Sequence, residues 1–187
     1  MKTGKTSRMR YTCYLTVTLV ILMFLHSCKK IEKLPPEPSI KFTSFELFDT
    51  TDILGNDTKG GRLKFYFEDG DGDLGLYPPS EGSTSDTSNL FFTLYRISGG
   101  VETPVVDNND PLKPSDYRIP YLERKGQNKI LRGTISVTFF YTFYSPADND
   151  TIKYEFYIKD RAGNSSNTDS TCDIVLNDNG ICYNAEN

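Results

Sequence analysis

The chain has no tryptophan and only one histidine, His26, which lies inside an apolar leading segment. Once that segment is set apart, the remaining sequence has no imidazole. This excludes the Ser-His and Cys-His pairs of nucleophilic catalysis and removes the usual nitrogen ligand of zinc. There is no G-x-S-x-G turn and no glycine-rich phosphate loop. No uninterrupted apolar run reaches the length of a comfortable membrane span, and no stretch of the main body shows a helical apolar period. Carboxylates are abundant, and two of them facing each other would make an envelope hydrolase. Nothing in the spacing marks such a pair, so binding or structural support is the expected role and catalysis is not.

What is present favours strands. The 187 residues carry 12 Tyr and 12 Phe, an aromatic share of 13%, and frequent Thr, Val and Ile, all residues that fit a pleated, half-buried surface. Seven short strands are predicted at 39–48, 61–68, 89–98, 116–122, 129–144, 151–160 and 170–176. The alternation is clearest at Leu63, Phe65 and Phe67 and at Ile152, Tyr154, Phe156 and Ile158, each set facing one way with polar or aromatic neighbours facing the other. One wet face per strand is the pattern of antiparallel sheets packed against each other, so the expected fold is all-β, an antiparallel immunoglobulin-like β-sandwich. In "TFFYTFY", alternation puts Phe139, Tyr141 and Phe143 toward the core and leaves Phe140 and Tyr144 for the surface. The stretches 77–89 and 107–116, rich in Pro, Ser, Asn and Asp, read as long surface connections with little to bury.

The N-terminus reads separately. Lys2, Lys5, Arg8 and Arg10 precede the apolar run from Tyr14 to Leu25, the order of an export signal. The run ends in "LHSC", which resembles a bacterial lipoprotein lipobox: Leu25, small Ser27 and the acceptor Cys28, with His26 departing from the usual small or β-branched residue. The resemblance implies cleavage after residue 27 and lipid on Cys28, several acyl chains giving a firm anchor. An ordinary secretory signal and an uncleaved signal anchor are the other readings. The expected organisation is a signal peptide over 1–27, a charged, proline-rich lipidated tether over 28–38, and a sandwich with its tail over 39–187. Removing 1–27 leaves 17 Lys plus Arg against 25 Asp plus Glu, a net charge near −8. That balance argues against nucleic acid as a partner and suits cations.

Two cysteines remain in the folded part, Cys172 and Cys182. In an exported chain such a pair can close a disulfide, free thiols being the alternative. "DTT" at Asp49, "DTI" at Asp150 and "DST" at Asp169 resemble a short O-glycan acceptor pattern of exported Bacteroidetes proteins, which makes Thr50, Thr151 and Ser170 candidates.

The most unusual stretch is "EDGDGDLGL" over 68–76. Asp69, Asp71 and Asp73 alternate with glycines directly after a strand, and side chains so spaced can converge on a hard cation such as calcium. It is not an EF-hand, because the sixth position counted from Asp69 is Leu74 and the twelfth is Ser80. A plain Asp-Gly turn is the competing reading. Further on, Asp160, Gly163 and Asn164 in "DRAGN" resemble a hairpin turn of bacterial immunoglobulin-like and fibronectin type III-like modules. Together, "F-x-D-G-D-G-D-L-G" and "D-R-A-G-N" resemble uncharacterised lipoproteins of Bacteroidetes type, over most of residues 39–176. The resemblance carries no general activity. With 61–68 as the second strand and 151–160 as the sixth of an immunoglobulin-like sandwich, the loops leaving them share a pole, so Asp160 and Asn164 would join the three aspartates around the ion. A protein or glycan partner is expected at the surface, and a small carbohydrate-binding lipoprotein is the alternative function. Lys29 and Lys30 follow Cys28 with Glu32 as the one early acid, which leans toward the periplasmic face of the outer membrane.

Overall fold

A computed structural model describes Tyr14, Thr16, Val17 and residues 33–79, 87–107, 109–123, 129–141 and 151–184. The signal segment, Cys28 and most of the tether therefore lie outside the described residues, as do Phe143, Tyr144 and Asp150. The chain divides into two units, Met1–Lys33 and Leu34–Asn187. Among the described residues, no helix is long and apolar enough to cross a membrane.

The second unit is an immunoglobulin-like β-sandwich with nine strands among the described residues: β1 (Ser39–Thr51), β2 (Asp57–Asp69), β3 (Leu90–Ser98), β4 (Val101–Pro104), β5 (Leu131–Tyr141), β6 (Thr151–Ile158), β7 (Asp169–Ser170), β8 (Ile174–Val175) and β9 (Gly180–Tyr183). One sheet has the order β5-β2-β1-β9. The other has the order β4-β3-β6-β7, with β8 also pairing β6. Every ladder is antiparallel. Strands β7 and β8 behave as one interrupted strand, since Thr171 between them still donates its N–H to Tyr154 O and accepts from Tyr154 N through its hydroxyl.

The alternation read from the sequence places the core. Leu63 and Phe65 on β2 and Ile152, Tyr154, Phe156 and Ile158 on β6 have no solvent exposure. On β1 the inward set is Ile40 and Phe42, then Phe45 and Leu47. That change of parity is absorbed by a bulge between Phe42 and Ser44. Rings meet across the two sheets: Phe65 against Phe156 at 5.2 Å between centroids, Phe45 against Tyr154 at 5.9 Å and Phe139 against Phe92 at 6.1 Å. Aromatic pairs of this kind contribute about 0.5–1.5 kcal/mol each beyond the area they bury. Phe139 and Tyr141 are in the core and Phe140 is exposed, as their alternation requires.

Three features differ from the sequence reading. No strand forms over 116–122, where Tyr117 and Pro120 make only isolated bridges to Leu90 and Leu76. Proline at 120 has no N–H to give a ladder. Strand β4 has no counterpart among the strands expected from the sequence. It follows Gly99 and Gly100, both at positive φ (59° and 80°), a two-residue turn of the type that matches strand twist. All four of its residues are exposed, so it has no apolar alternation to read. Thirdly, the 107–116 connection does bury a side chain: Leu112 is in the core, and its carbonyl accepts a 2.6 Å bond from the Tyr154 hydroxyl. A buried phenol needs an acceptor, and this loop supplies it. Tyr141 completes the chain with its hydroxyl 2.9 Å from that of Tyr154.

The edge of the sandwich beside β1 is closed by side chains. Asn167 accepts from Ile40 N and donates to Ile40 O, each at 2.9 Å, mimicking a strand partner. Asp169 accepts from Phe42 N at 2.6 Å, and Asn184 donates to Phe42 O at 3.0 Å. Cys172 and Cys182 form a disulfide with Cα atoms 6.4 Å apart. Because Cys182 pairs with Phe45 on β1 while Cys172 follows β7, the bond joins the two sheets.

Candidate metal centre

Strand β2 ends at Asp69, where the chain must leave the sheet, and the carboxylate of Asp69 shapes the exit. One oxygen accepts from Gly72 N at 3.2 Å and the other from Leu74 N at 2.7 Å. This is how aspartate turns a chain on itself, and it wraps residues 70–74 around a carboxylate that is fully buried. The glycines make the wrap feasible. Gly72 and Gly75 take φ of 70° and 88°, which L side chains avoid. At Gly70 a Cβ would overlap the carbonyl oxygens of Leu34 and Pro35.

Wrapped in this way, Asp69, Asp71 and Asp73 each bring a carboxylate oxygen within 4.8 Å of the others. Asp73 Oδ1 is buried and has no hydrogen-bond partner among the described residues. The charges feel each other and the loss of water. Burial is the chief reason that the pKa of Asp69 is pushed up to about 6; the Leu74 N–H opposes it, while Asp71 adds to it. Asp73 is raised by burial first and by the charges of Asp160 and Asp71 next, with Arg161 opposing.

The loop after β6 meets this one at the same pole. Asp73 Oδ2 accepts from Ala162 N at 3.1 Å, and the Arg161 guanidinium donates to Gly75 O at 2.6 Å and Leu74 O at 3.2 Å. Arg161 also lies over the stacked rings of Tyr77 and Tyr121, 4.9 and 5.1 Å from their centroids. Asp160 is buried, but its oxygens accept from Asn164 N at 2.7 Å and Asn164 Nδ2 at 2.8 Å. Asp160 and Asn164 thus close their own turn, and Asp160 faces Asp73 as a neighbouring charge outside the group of three. Arg161, the residue that ties the two loops together, carries no metal-ligand signal and was not singled out by sequence. The motif held only the turn residues around it.

A donor set made only of carboxylate and backbone oxygens suits a hard cation and gives a soft metal no nitrogen or sulfur. Among the other candidates, Thr50 lies in β1 opposite Thr58, Thr151 opens β6 and Ser170 ends β7; all three are half-buried. Comparison of the chain with protein-family models, with curated proteins and with solved structures found no match.

Proposed function

We propose that the chain is a lipid-anchored module of the bacterial cell envelope that acts by binding or structural support, with calcium ordering the pole formed by the loops after β2 and β6. The observation that carries the calcium reading is the convergence of Asp69, Asp71 and Asp73 within 4.8 Å in a place dry enough to raise the pKa of Asp69. Three carboxylates held so close repel one another, and a divalent cation removes that repulsion. Calcium takes six to eight oxygens, so the three aspartates would supply part of its shell, and backbone carbonyls and water the rest. Asp160 would add charge from the second layer. The gain is order: with the ion bound, Asp73 holds the 161–162 backbone in place, and the pole becomes a fixed surface toward a protein or glycan partner. The lipobox-like "LHSC" and the tether support anchoring at Cys28, and Lys29 and Lys30 favour the periplasmic face of the outer membrane.

Calorimetric titration of calcium into the chelator-treated full-length protein tests this reading, with melting temperatures taken with and without the ion. Saturable binding that raises the melting temperature, and that is lost in Asp71→Asn and Asp73→Asn, is the expected result. No heat and no thermal shift would leave the loop as a polar turn.

A further inference from the structure

The outer face of the β3–β6 sheet is not uniformly polar. Phe91 and Tyr157 are cross-strand neighbours that point away from the core, since Phe92 and Phe156 beside them point inward. Their rings stack at 5.0 Å between centroids and 21° between planes, both half-buried. Lys159 Nζ lies 5.5 Å from the centre of the Phe91 ring and 6.0 Å from that of Tyr157. Segment 113–116 runs alongside, held to β3 by mutual backbone bonds between Leu90 and Tyr117 and by Asp116, whose carboxylate accepts from Phe92 N at 3.3 Å. Between ring pair and segment lies a groove of about 470 Å³, lined also by Thr93, Lys113, Pro114 and Ser115.

We infer that this groove binds a neutral oligosaccharide. A sugar ring presents a C–H face that packs on aromatic rings and a rim of hydroxyls that need both donors and acceptors. Phe91 and Tyr157 supply the apolar surface, with Pro114 in the opposite wall. The hydroxyls of Thr93 and Ser115 donate and accept, the Asp116 carboxylate accepts, and Lys113 donates. The volume falls within the range of about 300–1,000 Å³ that ligand pockets span. Two other ligand classes fit less well. An extended peptide adding to β3 would need the backbone N–H of Phe92, which Asp116 already holds. A purely apolar ligand would have to strip water from the exposed Asp116. The site stands on the outer sheet face and does not rest on the aspartate cluster, so its fate in an experiment is separate from that of calcium binding.

The test is calorimetric titration of the full-length protein, in a detergent without sugar head groups, with cellohexaose, xylohexaose, mannohexaose and hexagalacturonate. The expected result is saturable binding of at least one neutral hexasaccharide, weakened by about tenfold or more in Phe91→Ala and Tyr157→Ala. Thr93→Arg, at an exposed position lining the groove, should abolish that binding with the melting temperature unchanged, which keeps the test sound if either ring variant folds poorly. Absence of binding by all three neutral probes, binding of hexagalacturonate alone, or binding that survives Thr93→Arg would overturn the inference.

Discussion

Asp69 uses the same two oxygens to shape its loop and to hold its charge, and the second task has a measurable consequence. Its pKa is about 6 in the fold against an ordinary 3.8, so the folded protein holds this proton more tightly than the unfolded chain does. Its contribution to stability is therefore fully present below about pH 3.8 and is lost as pH rises through about 6. In chelator, the wild-type melting temperature should fall relative to Asp69→Asn across that window, because the amide has no proton to lose. Saturating calcium should remove the wild-type decline by compensating the charge. A difference between the two proteins that stays constant from pH 4 to 7 would show that the carboxylate is not strained. The alternate aspartates were legible as a candidate cluster from spacing alone, because Asp-Gly repeats after a strand have few ways to fold. The engagement of Asp160 with Asn164 was not legible: the same "DRAGN" letters serve a ligand loop or a self-contained turn. Only the Asn164 amide reaching back to the carboxylate distinguishes the two.

At the level of elements, the parts that were readable share a wet face and a dry one. Strand β2 from Gly61 onward and the whole of β6 alternate, and their inward sets are buried as the period requires. Strands β4 and β9 are edges exposed along most of their length, so no burial pattern announces them. What holds β9 is its four-residue ladder to β1 and the Cys172–Cys182 bond. The bond closes a short loop with a sequence separation of 10, and such a crosslink contributes about 2–3 kcal/mol by limiting the unfolded chain. Cys172→Ala combined with Cys182→Ala should lower the melting temperature by roughly 4–12 °C. Amide exchange should rise in 180–183 while the protection of β2 and β6 stays near wild type. Unchanged exchange in β9 would mean that the ladder and Asn184 suffice to hold the tail.

For the whole molecule, the sandwich fixes which way its features face. Leu34 and Pro35 lie against Gly70, so the chain enters the domain at the same pole that carries the aspartates and the Arg161 clamp. The outer face of the β3–β6 sheet, with Phe91 and Tyr157, belongs to a different part of the sandwich from the loops after β2 and β6. The proposed anchor rests on the basic start, the apolar run and "LHSC", features read from the sequence alone. Cys28→Ser tests it directly in cells that process lipoproteins. The wild-type protein should partition into the membrane fraction and incorporate a clickable palmitate analogue, and Cys28→Ser should lose the label. The variant should also migrate as the uncleaved precursor if removal of residues 1–27 requires lipid on Cys28. Several acyl chains bind a bilayer far more firmly than one, so high salt should not release the wild-type protein. Release of wild type by salt, or a label that persists in Cys28→Ser, would point instead to an ordinary secretory signal or an uncleaved anchor, with the acidic domain held by other contacts.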